Sequence, residues 1–449
     1  MKGELIDIAE KTARKAEALG ADQVEVYMAS SRSFSIDVEN NAIKGASDKR
    51  DAGCGIRSVI GKSTGFAYVT TVLEADLIEA AEKSVKLAKA SVEDPDFVSL
   101  PSSQSSYPKV KGLVDPAIQE LGSEDAADLI VRGVDAAQAV LENHESAVEA
   151  KFSASTGLTV IVNSLGISSS AESTSTWMYV SPTIKDEEDQ TSSYEFQLSR
   201  ALKEIDPEWI GRSSAENALS NLGAKTVEGG DMPLVLTPLA VSAIIGGGFA
   251  GAINAEEVQY GRSYISDAFG EEIASEELYI VDDALLPGGV GSRPFDAEGV
   301  RAQKTEVLEN GVLKSLLHNS YTANKDGVEN TGNASRPSYS GLPSISTSNF
   351  VVAPGKGSLE DVLSEVGKGV LCRFTGDRPN MATGDLSAMI MEGSYFENGA
   401  IQHPVKNTLV GINMRDLLRR VEMVGGDTRV ALAIISPSLV ISSAKITSG

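Results

Sequence analysis

The longest uncharged segment of the chain predicts its central structural element. This segment includes Met232 to Ile253, in a protein in which 23% of the residues are charged. The apolar run from Leu234 to Leu236 predicts a buried strand. Thr237 and Pro238 then predict the start of a helix, because a threonine hydroxyl can accept a hydrogen bond from a free backbone N–H and proline lacks the N–H that the first turn leaves unpaired. We therefore expect a buried strand that leads directly into a helix.

The predicted helix contains three consecutive glycines, Gly246, Gly247 and Gly248. Each glycine makes a helix interior less stable than alanine does by about 1 kcal/mol, so a run of three requires a structural reason. Either the helix breaks here, or another backbone or a ligand lies too close for a side chain. A strand followed by a helix is a plausible position for chemistry, but this segment contains no His, Cys, Asp, Glu or Lys.

The hydrophobic pattern of the first half predicts helices packed on one face of a β-sheet. Helical spacing comes first, and strand-like alternation follows from Val24, with a hairpin at Gly61-Lys62. Residues 146–203 alternate between apolar and Ser/Thr-rich positions, which is typical of long antiparallel strands with one wet face. Within them, Lys185 to Asp189 predicts an exposed turn. We predict an α/β-layered N-terminal domain over residues 1–224, with a mixed or antiparallel sheet.

The second half predicts a domain that is rich in strands. Asn310-Gly311 and Asn398-Gly399 each separate two apolar, alternating runs. Asn-Gly readily adopts the positive φ angles of a type I′ turn, so both pairs predict β-hairpins. Apolar spacing predicts a helix from Met414 to Met423. The predicted fold class is α+β, with a β-rich C-terminal domain over residues 225–449 that contains a large antiparallel sheet.

Composition restricts the classes of partner. The net charge of the 449-residue chain is −24 at pH 7, whereas nucleic-acid-binding proteins usually present basic surfaces, so we expect no nucleic-acid partner. Prolines and glycines interrupt the uncharged segment and acidic residues flank it, so we expect no membrane-spanning helix. Cys54 and Cys372 cannot form a disulfide framework, and the charged N-terminus lacks the apolar core of a signal peptide. We therefore predict a cytoplasmic protein.

Residues that could carry chemistry are few and scattered. His144, His318 and His403 are the only histidines, and none of them lies at a zinc-ligand spacing from another metal-type residue. Cys54 and Cys372 lie in predicted strands and are expected to be buried, small apolar residues rather than nucleophiles. The default expectation is that these side chains have structural roles.

On the residues alone, two classes of function remain open. A self-sufficient hydrolase with an unrecognised site could be assembled from Asp377, Asp385 and His403 with Ser and Thr residues, and it would turn over substrate alone. The second class is a homo-oligomeric peptide-binding protein without a catalytic partner subunit.

A long polar segment, Tyr321 to Pro354, has two alternative interpretations. Loops above about 12–15 residues in compact domains are often functional or disordered. Polar side chains such as Thr331, Asn333 and Arg336 could bind an extended peptide backbone or a carboxylate. Alternatively, the segment is a surface loop whose polar side chains satisfy its own backbone.

Three stretches resemble the TldD/PmbA family, whose older name is modulator of DNA gyrase. In chain order they read VEVYMASSRSFSIDVENNAIKGASDKRDAGCGIRSVIGKSTGFAYVT; YTANKDG, NTGNASR and STSNFVVAPG; and TGD followed by GDLSAMIMEGSYFENGAIQHPV and VGGD. The resemblance extends over essentially the whole chain, and it implies an α+β N-terminal domain and a β-rich C-terminal domain.

The resemblance also implies which type of subunit this is. The TldD-type member of the family is a metalloprotease subunit with the zinc motif HExxxH on the central helix and a ligand cysteine near the C-terminal strands; the TldE/PmbA-type member lacks these residues. Here the two histidine positions fall near Ala243 and Gly248, and the glutamate position falls near Ile244. The segment GGDTRVALAIISPS contains no cysteine. We expect a TldE/PmbA-type member with no catalytic residue, metal or cofactor of its own.

The resemblance finally implies partners. We expect a non-catalytic subunit of a TldD-type zinc metalloprotease complex that acts on unfolded or extended peptides, with zinc only in the TldD-like subunit. A homodimer is also expected from the family. Combined with the glycine triplet and the polar segment, this gives a candidate peptide or partner cleft: Gly246, Gly247, Gly248, Tyr321, Thr331, Asn333, Arg336 and Asn349.

Overall fold

The structure, a computed structural model, describes residues 2–186 and 189–449. The predicted turn at Lys185 to Asp189 includes residues 187 and 188, which lie outside the described residues. The elements of the first half are α1 (Lys2–Ala18), β1 (Gln23–Glu39), β2 (Ala42–Ile60), β3 (Ser63–Val69), α2 (Glu74–Ala90), α3 (Pro116–Gln119), α4 (Ser123–Val140), β4 (Glu145–Asn163), β5 (Ser168–Asp186), β6 (Asp189–Ser192), β7 (Glu195–Ser199) and α5 (Pro207–Ser220).

The strands of the first half form one antiparallel sheet, which has seven strands in the described residues. The order is β3-β2-β1-β4-β5-β6, and β7 also pairs with β5. The helices cover a single face. Helices α1 and α2 pack on it around Val26 and Val160, and α4 and α5 pack farther along it around Phe152 and Met178. Side chains alternate across a strand, so residues such as Tyr27 and Ile161 lie on the opposite face, where they contact Phe295 of the second half.

The second half is rich in strands, as predicted. Its elements are β8 (Gly230–Leu236), α6 (Pro238–Val241), a π-helix (Ser242–Phe249), α7 (Ala250–Ala252), α8 (Ala255–Gln259), β9 (Ile280–Asp283), β10 (Lys304–Glu309), β11 (Val312–Leu313), α9 (Ser320–Asp326), β12 (Ala334–Ser335), β13 (Ser344–Ile345), β14 (Phe350–Val352), α10 (Leu359–Val366), β15 (Lys368–Phe374), β16 (Asp385–Met389), β17 (Glu392–Glu397), β18 (Ala400–Pro404), β19 (Thr408–Asn413), α11 (Met414–Arg419), β20 (Val421–Val424), β21 (Arg429–Ala431), β22 (Ile434–Ser436) and β23 (Leu439–Ser448).

Two larger sheets organise this half. Counted over the described residues, one has eight strands in the order β16-β19-β23-β8-β15-β17-β18 with β20 beside β23, and the other has six in the order β11-β10-β9-β14-β22-β21. Their strand pairs are antiparallel except β8–β15 and β14–β22, which are parallel. A long crossover connects the two strands of each parallel pair, as parallel pairing requires. The α+β fold class is therefore confirmed, while the division of the chain at residues 224/225 stays a prediction.

Local predictions had mixed outcomes. Both Asn-Gly hairpins are confirmed, with positive φ angles at Asn310, Gly311, Asn398 and Gly399. The helix predicted from Met414 to Met423 was too long, because it ends at Arg419 and Val421–Val424 pair with β23 instead. The sequence alone does not show that this apolar run is divided between two elements.

The polar segment from Tyr321 to Pro354 is more ordered than a loop. It begins within α9, whose C-cap residue Gly327 has a φ angle of 67°, and it also contains β14 and the short hairpin β12–β13. Over the residues that the structure describes, no helix is both long and apolar enough to cross a membrane.

Candidate functional site

The candidate site is a cavity of about 650 Å³ between the N-terminal sheet and the helix that follows β8. Its first wall is aromatic. Trp177 and Tyr179 alternate along β5 with the buried Met178 and Val180, so they lie on the sheet face that the helices do not cover. Phe196 of β7 lies directly opposite Tyr179 in the strand pairing. This wall is therefore created by the two-residue period of the strands.

Two further rings extend the aromatic wall. The ring of Tyr194 lies 5.2 Å from that of Phe374, edge to face, and the rings of Trp177 and Tyr179 are 5.1 Å apart. Aromatic residues are only 5% of the chain, so five of them on one cavity is a marked concentration. Most ligand cavities have such apolar, aromatic linings with a few polar groups.

The opposite wall consists of small residues on the central helix. Ala243, Gly246 and Gly247 line the cavity from the π-helix, and Ala250 and Gly251 continue this wall into α7. Small side chains here leave the space in front of the aromatic wall open. The π-helix is a rare conformation that occurs frequently at functional sites.

The glycine triplet has a packing explanation, and the helix does not break there. A Cβ on Gly246 would lie 2.1 Å from Cδ1 of Ile434, and one on Gly248 would lie 2.4 Å from Cγ of Pro379. A Cβ on Gly247 would lie 3.3 Å from Nε of Arg378. Side chains from two other segments thus occupy the positions next to the helix.

The helix start differs in one detail from the prediction. Thr237 is the N-cap residue and Pro238 takes the first helical position, but the threonine hydroxyl accepts no hydrogen bond from the helix. It donates instead to the carbonyl of Arg373 at 2.9 Å. The hydroxyl therefore connects the helix to β15, and capping does not explain its presence.

A buried ion-pair network lies behind the aromatic wall. Glu195 accepts hydrogen bonds from Arg373 and Arg429, and Glu392 accepts from Arg373 and from Ser193. Burial raises the pKa of Glu392, and burial also raises the pKa of the neighbouring Tyr194 to about 12. The phenol of Tyr194 therefore stays neutral at physiological pH.

The structure brings only part of the predicted cleft to the cavity. Gly246 and Gly247 line it, whereas Gly248 is covered by Pro379 and by Met414. None of the five predicted residues from the polar segment is among the lining residues; these are Tyr321, Thr331, Asn333, Arg336 and Asn349. Whether any residue of the predicted cleft binds a peptide stays a prediction.

The polar residues instead hold the fold together. Asn333 donates to Asp282 at 2.6 Å, and Asn349 donates to the carbonyl of Asp283 at 2.6 Å. Arg336 forms a fully buried ion pair with Glu25 of β1. Neither sequence interpretation described this arrangement, because the partners lie far away along the chain.

The remaining two residues of the predicted cleft also have internal partners. Thr331 accepts a hydrogen bond from the backbone N–H of His318 at 2.7 Å and donates to the carbonyl of the same residue. Tyr321 packs beside a small apolar cluster that contains Phe97 and Leu100. Burial and a hydrogen bond to Asp94 raise the pKa of the Tyr321 phenol.

The residues suggested for an unrecognised hydrolase do not come together. Asp385 lies in β16 and His403 lies in β18, which are the two ends of the order of the eight-stranded sheet. Adjacent strands are about 4.8 Å apart, so roughly 25–30 Å separates them. Asp377 accepts a hydrogen bond from the backbone N–H of Met389, near β16 and far from His403 in the strand order. The hydrolase alternative thus loses its proposed site.

The two cysteines and His318 are also buried in the structure. Cys54 and Cys372 are buried and free, as expected, and burial raises the pKa of each thiol, to about 12 for Cys372. His318 is buried beside Thr322, and burial lowers its pKa. Over residues 2–186 and 189–449, no group of three His, Cys, Asp or Glu side chains could hold a metal ion.

The aromatic wall was missed by the sequence analysis. Its signal was present in the stretch that contains Trp177 and Tyr179, because two large aromatic residues occupy the positions predicted to be wet. Aromatic residues on a solvated strand face indicate a surface that something else covers or binds. The sequence signal for Arg378 was its place in the polar stretch from Thr375 to Ser387.

Family sequence models match three parts of the chain. Residues 24–88 match domain 1 of the PmbA/TldA metallopeptidases, residues 117–222 match their central domain, and residues 229–448 match their C-terminal domain. The chain belongs to the PmbA/TldD family. This membership confirms the resemblance that the sequence motifs indicated.

Individual relatives and structures of the PmbA/TldD family agree over nearly the full length. The chain is 28% identical to a protein named metalloprotease TldD homolog from Buchnera aphidicola, over 91% of this chain and 86% of the relative. It is 27% identical to the metalloprotease PmbA homolog of Haemophilus influenzae, over 98% and 95% of the two chains. The crystal structure of TldE from Thermococcus kodakarensis superposes with a TM-score of 0.91 at 26% identity, over 98% of this chain and all of that chain.

A metallopeptidase family implies a metal, and the residues present here do not fit one. The resemblance places the zinc motif near Ala243, Ile244 and Gly248; none of the three has a ligand side chain, and Ile244 is buried in the core. The C-terminal segment that lacks a cysteine does approach this helix, since Ala431, Leu432 and Ile434 line the same cavity. The two segments to which the resemblance assigns the metal site of TldD-type members thus both line this cavity, and the residues named here have no metal-binding side chains.

Proposed function

We propose that this PmbA/TldD-family chain is a non-catalytic subunit that acts with a metal-bearing, TldD-like metallopeptidase. The observation that carries the proposal is the central helix. Its motif positions hold Ala243, Ile244 and Gly248, and Pro379 occupies the space where a side chain at position 248 would extend. The π-helical geometry supports the same proposal, because i→i+5 pairing aligns positions 243 and 248, and neither position has a ligand side chain here.

The second part of the proposal is that the cavity binds an extended or unfolded peptide. A cavity of 650 Å³ has the size and the apolar lining that are typical of ligand sites. The aromatic wall supplies large apolar contact area at a small cost in side-chain entropy, because each ring has only two rotatable bonds. The peptide would be held here and cleaved at the zinc of the partner.

We include a cytoplasmic location in the proposal. The two cysteines remain free, as is usual in a reducing compartment. The excess of acidic residues supports solubility and gives no support to nucleic-acid binding.

The test compares the purified chain alone with the chain plus a TldD-like protein from the same organism. Zinc is measured by elemental analysis and peptidase activity with casein-type substrates. We expect no stoichiometric zinc and no activity from the chain alone, and chelator-sensitive activity from the pair.

The matched control is the partner with its HExxxH glutamate changed to glutamine, which should abolish the activity of the pair. Zinc-dependent activity from this chain alone would overturn the proposal. A stable homo-oligomer that binds peptide but neither associates with nor activates the partner would favour the homo-oligomeric alternative instead.

A further inference from the structure

Among the residues that the structure describes, Arg378 is the one charged side chain in the lining of the cavity. In a protein with a net charge of −24, an acidic lining would be the ordinary expectation. Arg378 is exposed, and the described residues place no carboxylate within 4 Å of its guanidinium. A cationic group without an acidic partner at the edge of an apolar cavity is available to pair with an anionic group of a ligand.

The segment that carries Arg378 is held in place on both sides. Asp377 accepts a hydrogen bond from the backbone N–H of Met389 at 2.8 Å, and Pro379 packs against Gly248. The backbone N–H of Asn380 donates to the carbonyl of Asp385 at 2.9 Å. Arg378 is therefore presented from an anchored turn, which reduces the entropy lost when it binds.

Gly247 allows the arginine to lie close to the helix. The position of a Cβ on Gly247 is 3.3 Å from Nε, 3.4 Å from Cδ and 3.5 Å from Cγ of Arg378. The stem of the arginine thus runs along the glycine. This places the guanidinium beside the small wall of the cavity and across from the aromatic wall.

The chemistry of the lining defines the ligand. The aromatic wall and Leu239, Ile345 and Leu432 favour an apolar group, and Arg378 favours one anionic group. Aromatic faces also attract cations, but the guanidinium repels them, and none of the acidic side chains in residues 2–186 and 189–449 lines the cavity to pair with an ammonium. A free amino acid or a peptide amino terminus would therefore have an unpaired positive charge.

We propose that the cavity binds the carboxyl-terminal residue of a peptide, with its apolar side chain against Trp177, Tyr179 and Phe196 and its α-carboxylate paired with Arg378. This inference rests on the proposed peptide-binding function and makes it specific. A guanidinium can donate two parallel hydrogen bonds to a carboxylate, so Arg378 selects the free acid over an amide.

The test is calorimetric titration of the full chain with two hexapeptides that differ at one group. Gly-Ser-Ala-Ala-Ala-Phe carries a free carboxylate, and its counterpart ends in a carboxamide. We expect the free acid to bind about tenfold more tightly or better, as charged hydrogen bonds generally contribute. The preference should decrease at high salt, because Arg378 is exposed.

Three variants test whether Arg378 causes the preference for the free acid over the amide. Arg378→Met should remove the difference between acid and amide, and Arg378→Lys should retain part of it, because lysine keeps the charge without the planar fork. Arg419→Met, at an exposed arginine outside the cavity lining, is the matched control and should bind like the unaltered chain. Thermal melting of each variant confirms that folding is unchanged.

The outcomes separate this inference from the proposed function. Equal binding of acid and amide would overturn the carboxylate assignment while peptide binding stands. Equally tight binding of N-acetylphenylalanine would show that the ligand is a small apolar carboxylate and would overturn the peptide assignment. No binding of any of the three compounds would count against both proposals, whereas activation of the TldD-like partner would still test the subunit role alone.

Discussion

Pro379 lies directly over Gly248, with its Cγ atom 2.4 Å from the position that a Cβ on this glycine would occupy. The neighbouring Gly247 faces the flexible stem of Arg378 at 3.3 Å. Two adjacent glycines of one helix therefore have different reasons to lack a side chain. At Gly248 the obstacle is a rigid ring held in a buried position, whereas at Gly247 it is a chain that can move into solvent.

This difference predicts opposite effects of the same substitution. Gly248→Ala should lower the free energy of unfolding by about 1–3 kcal/mol, because a methyl group in a filled space forces the backbone or the proline to shift. Gly247→Ala should leave stability unchanged or raise it by up to about 1 kcal/mol, because alanine favours helix and Arg378 can give way. Urea unfolding measures both, and equal losses at the two positions would contradict the packing account.

A larger effect on stability is expected from substitution of the buried Glu25, which is not one of the lining residues of the cavity. Glu25 is 1% exposed and accepts hydrogen bonds from Arg57 and from Arg336, which joins β1 and β2 to the polar segment before β14. Removing one partner of a buried ion pair leaves a charge uncompensated, so Glu25→Gln should cost about 3 kcal/mol or more of stability.

The control for Glu25 lies on the same two strands. Arg32 and Asp48 form an exposed ion pair across β1 and β2, 2.8 Å apart. Asp48→Asn should leave the melting temperature nearly unchanged, because solvent screens exposed pairs. A similar loss of melting temperature for Glu25→Gln and Asp48→Asn would show that the buried network does not connect the two halves of the chain energetically.

The raised pKa of the buried Asp296 leads us to expect that stability depends on pH. Burial, and secondarily the neighbouring Glu298, raises its pKa to about 7. The folded state therefore retains a proton that the unfolded chain releases near pH 4, so the contribution of Asp296 is fully present below about pH 4 and is lost as pH rises towards 7. The slope for one such group is at most about 1.4 kcal/mol per pH unit.

Urea titrations at pH 4, 5.5 and 7 measure this slope. Asp296→Asn cannot titrate, so its stability should fall less between pH 4 and pH 7 than that of the unaltered chain. The exposed Asp135 changed to Asn is the matched control and should preserve the original slope. Identical slopes for all three proteins would assign the pH dependence to other groups.

The sequence predicted the elements that follow from local periodicity and turn chemistry. The hairpins at Asn310 and Asn398 and the strand-to-helix transition at Pro238 depend on residues adjacent in the chain, and the structure contains them. The identities of Ala243, Ile244 and Gly248 are also read directly from the sequence, whereas their assignment to a zinc motif stays a prediction.

The candidate site depended on contacts that a single sequence does not contain. Trp177 of β5 and Gly247 of the central helix face the same cavity although they are distant in the chain. Conversely, Asn333 and Arg336 have the polar character of binding residues, but their partners Asp282 and Glu25 make them part of the core. Polarity alone does not distinguish a buried structural contact from a binding surface; the tertiary partner decides.

Substitution of Leu432 is expected to raise stability and to weaken peptide binding. It lines the cavity, is 58% exposed and has a φ angle of 59°, a left-handed conformation that is unfavourable for leucine by roughly 1–2 kcal/mol. Asparagine tolerates this conformation, so Leu432→Asn should raise stability by about 0.5–1 kcal/mol. The same substitution removes an apolar contact at the cavity and should weaken binding of a phenylalanine-terminated peptide severalfold. Val430→Asn, two residues earlier and also exposed, is the control outside the lining, and it should leave peptide affinity unchanged. A stabilised Leu432→Asn variant with full affinity would show that the strained leucine does not contact the ligand.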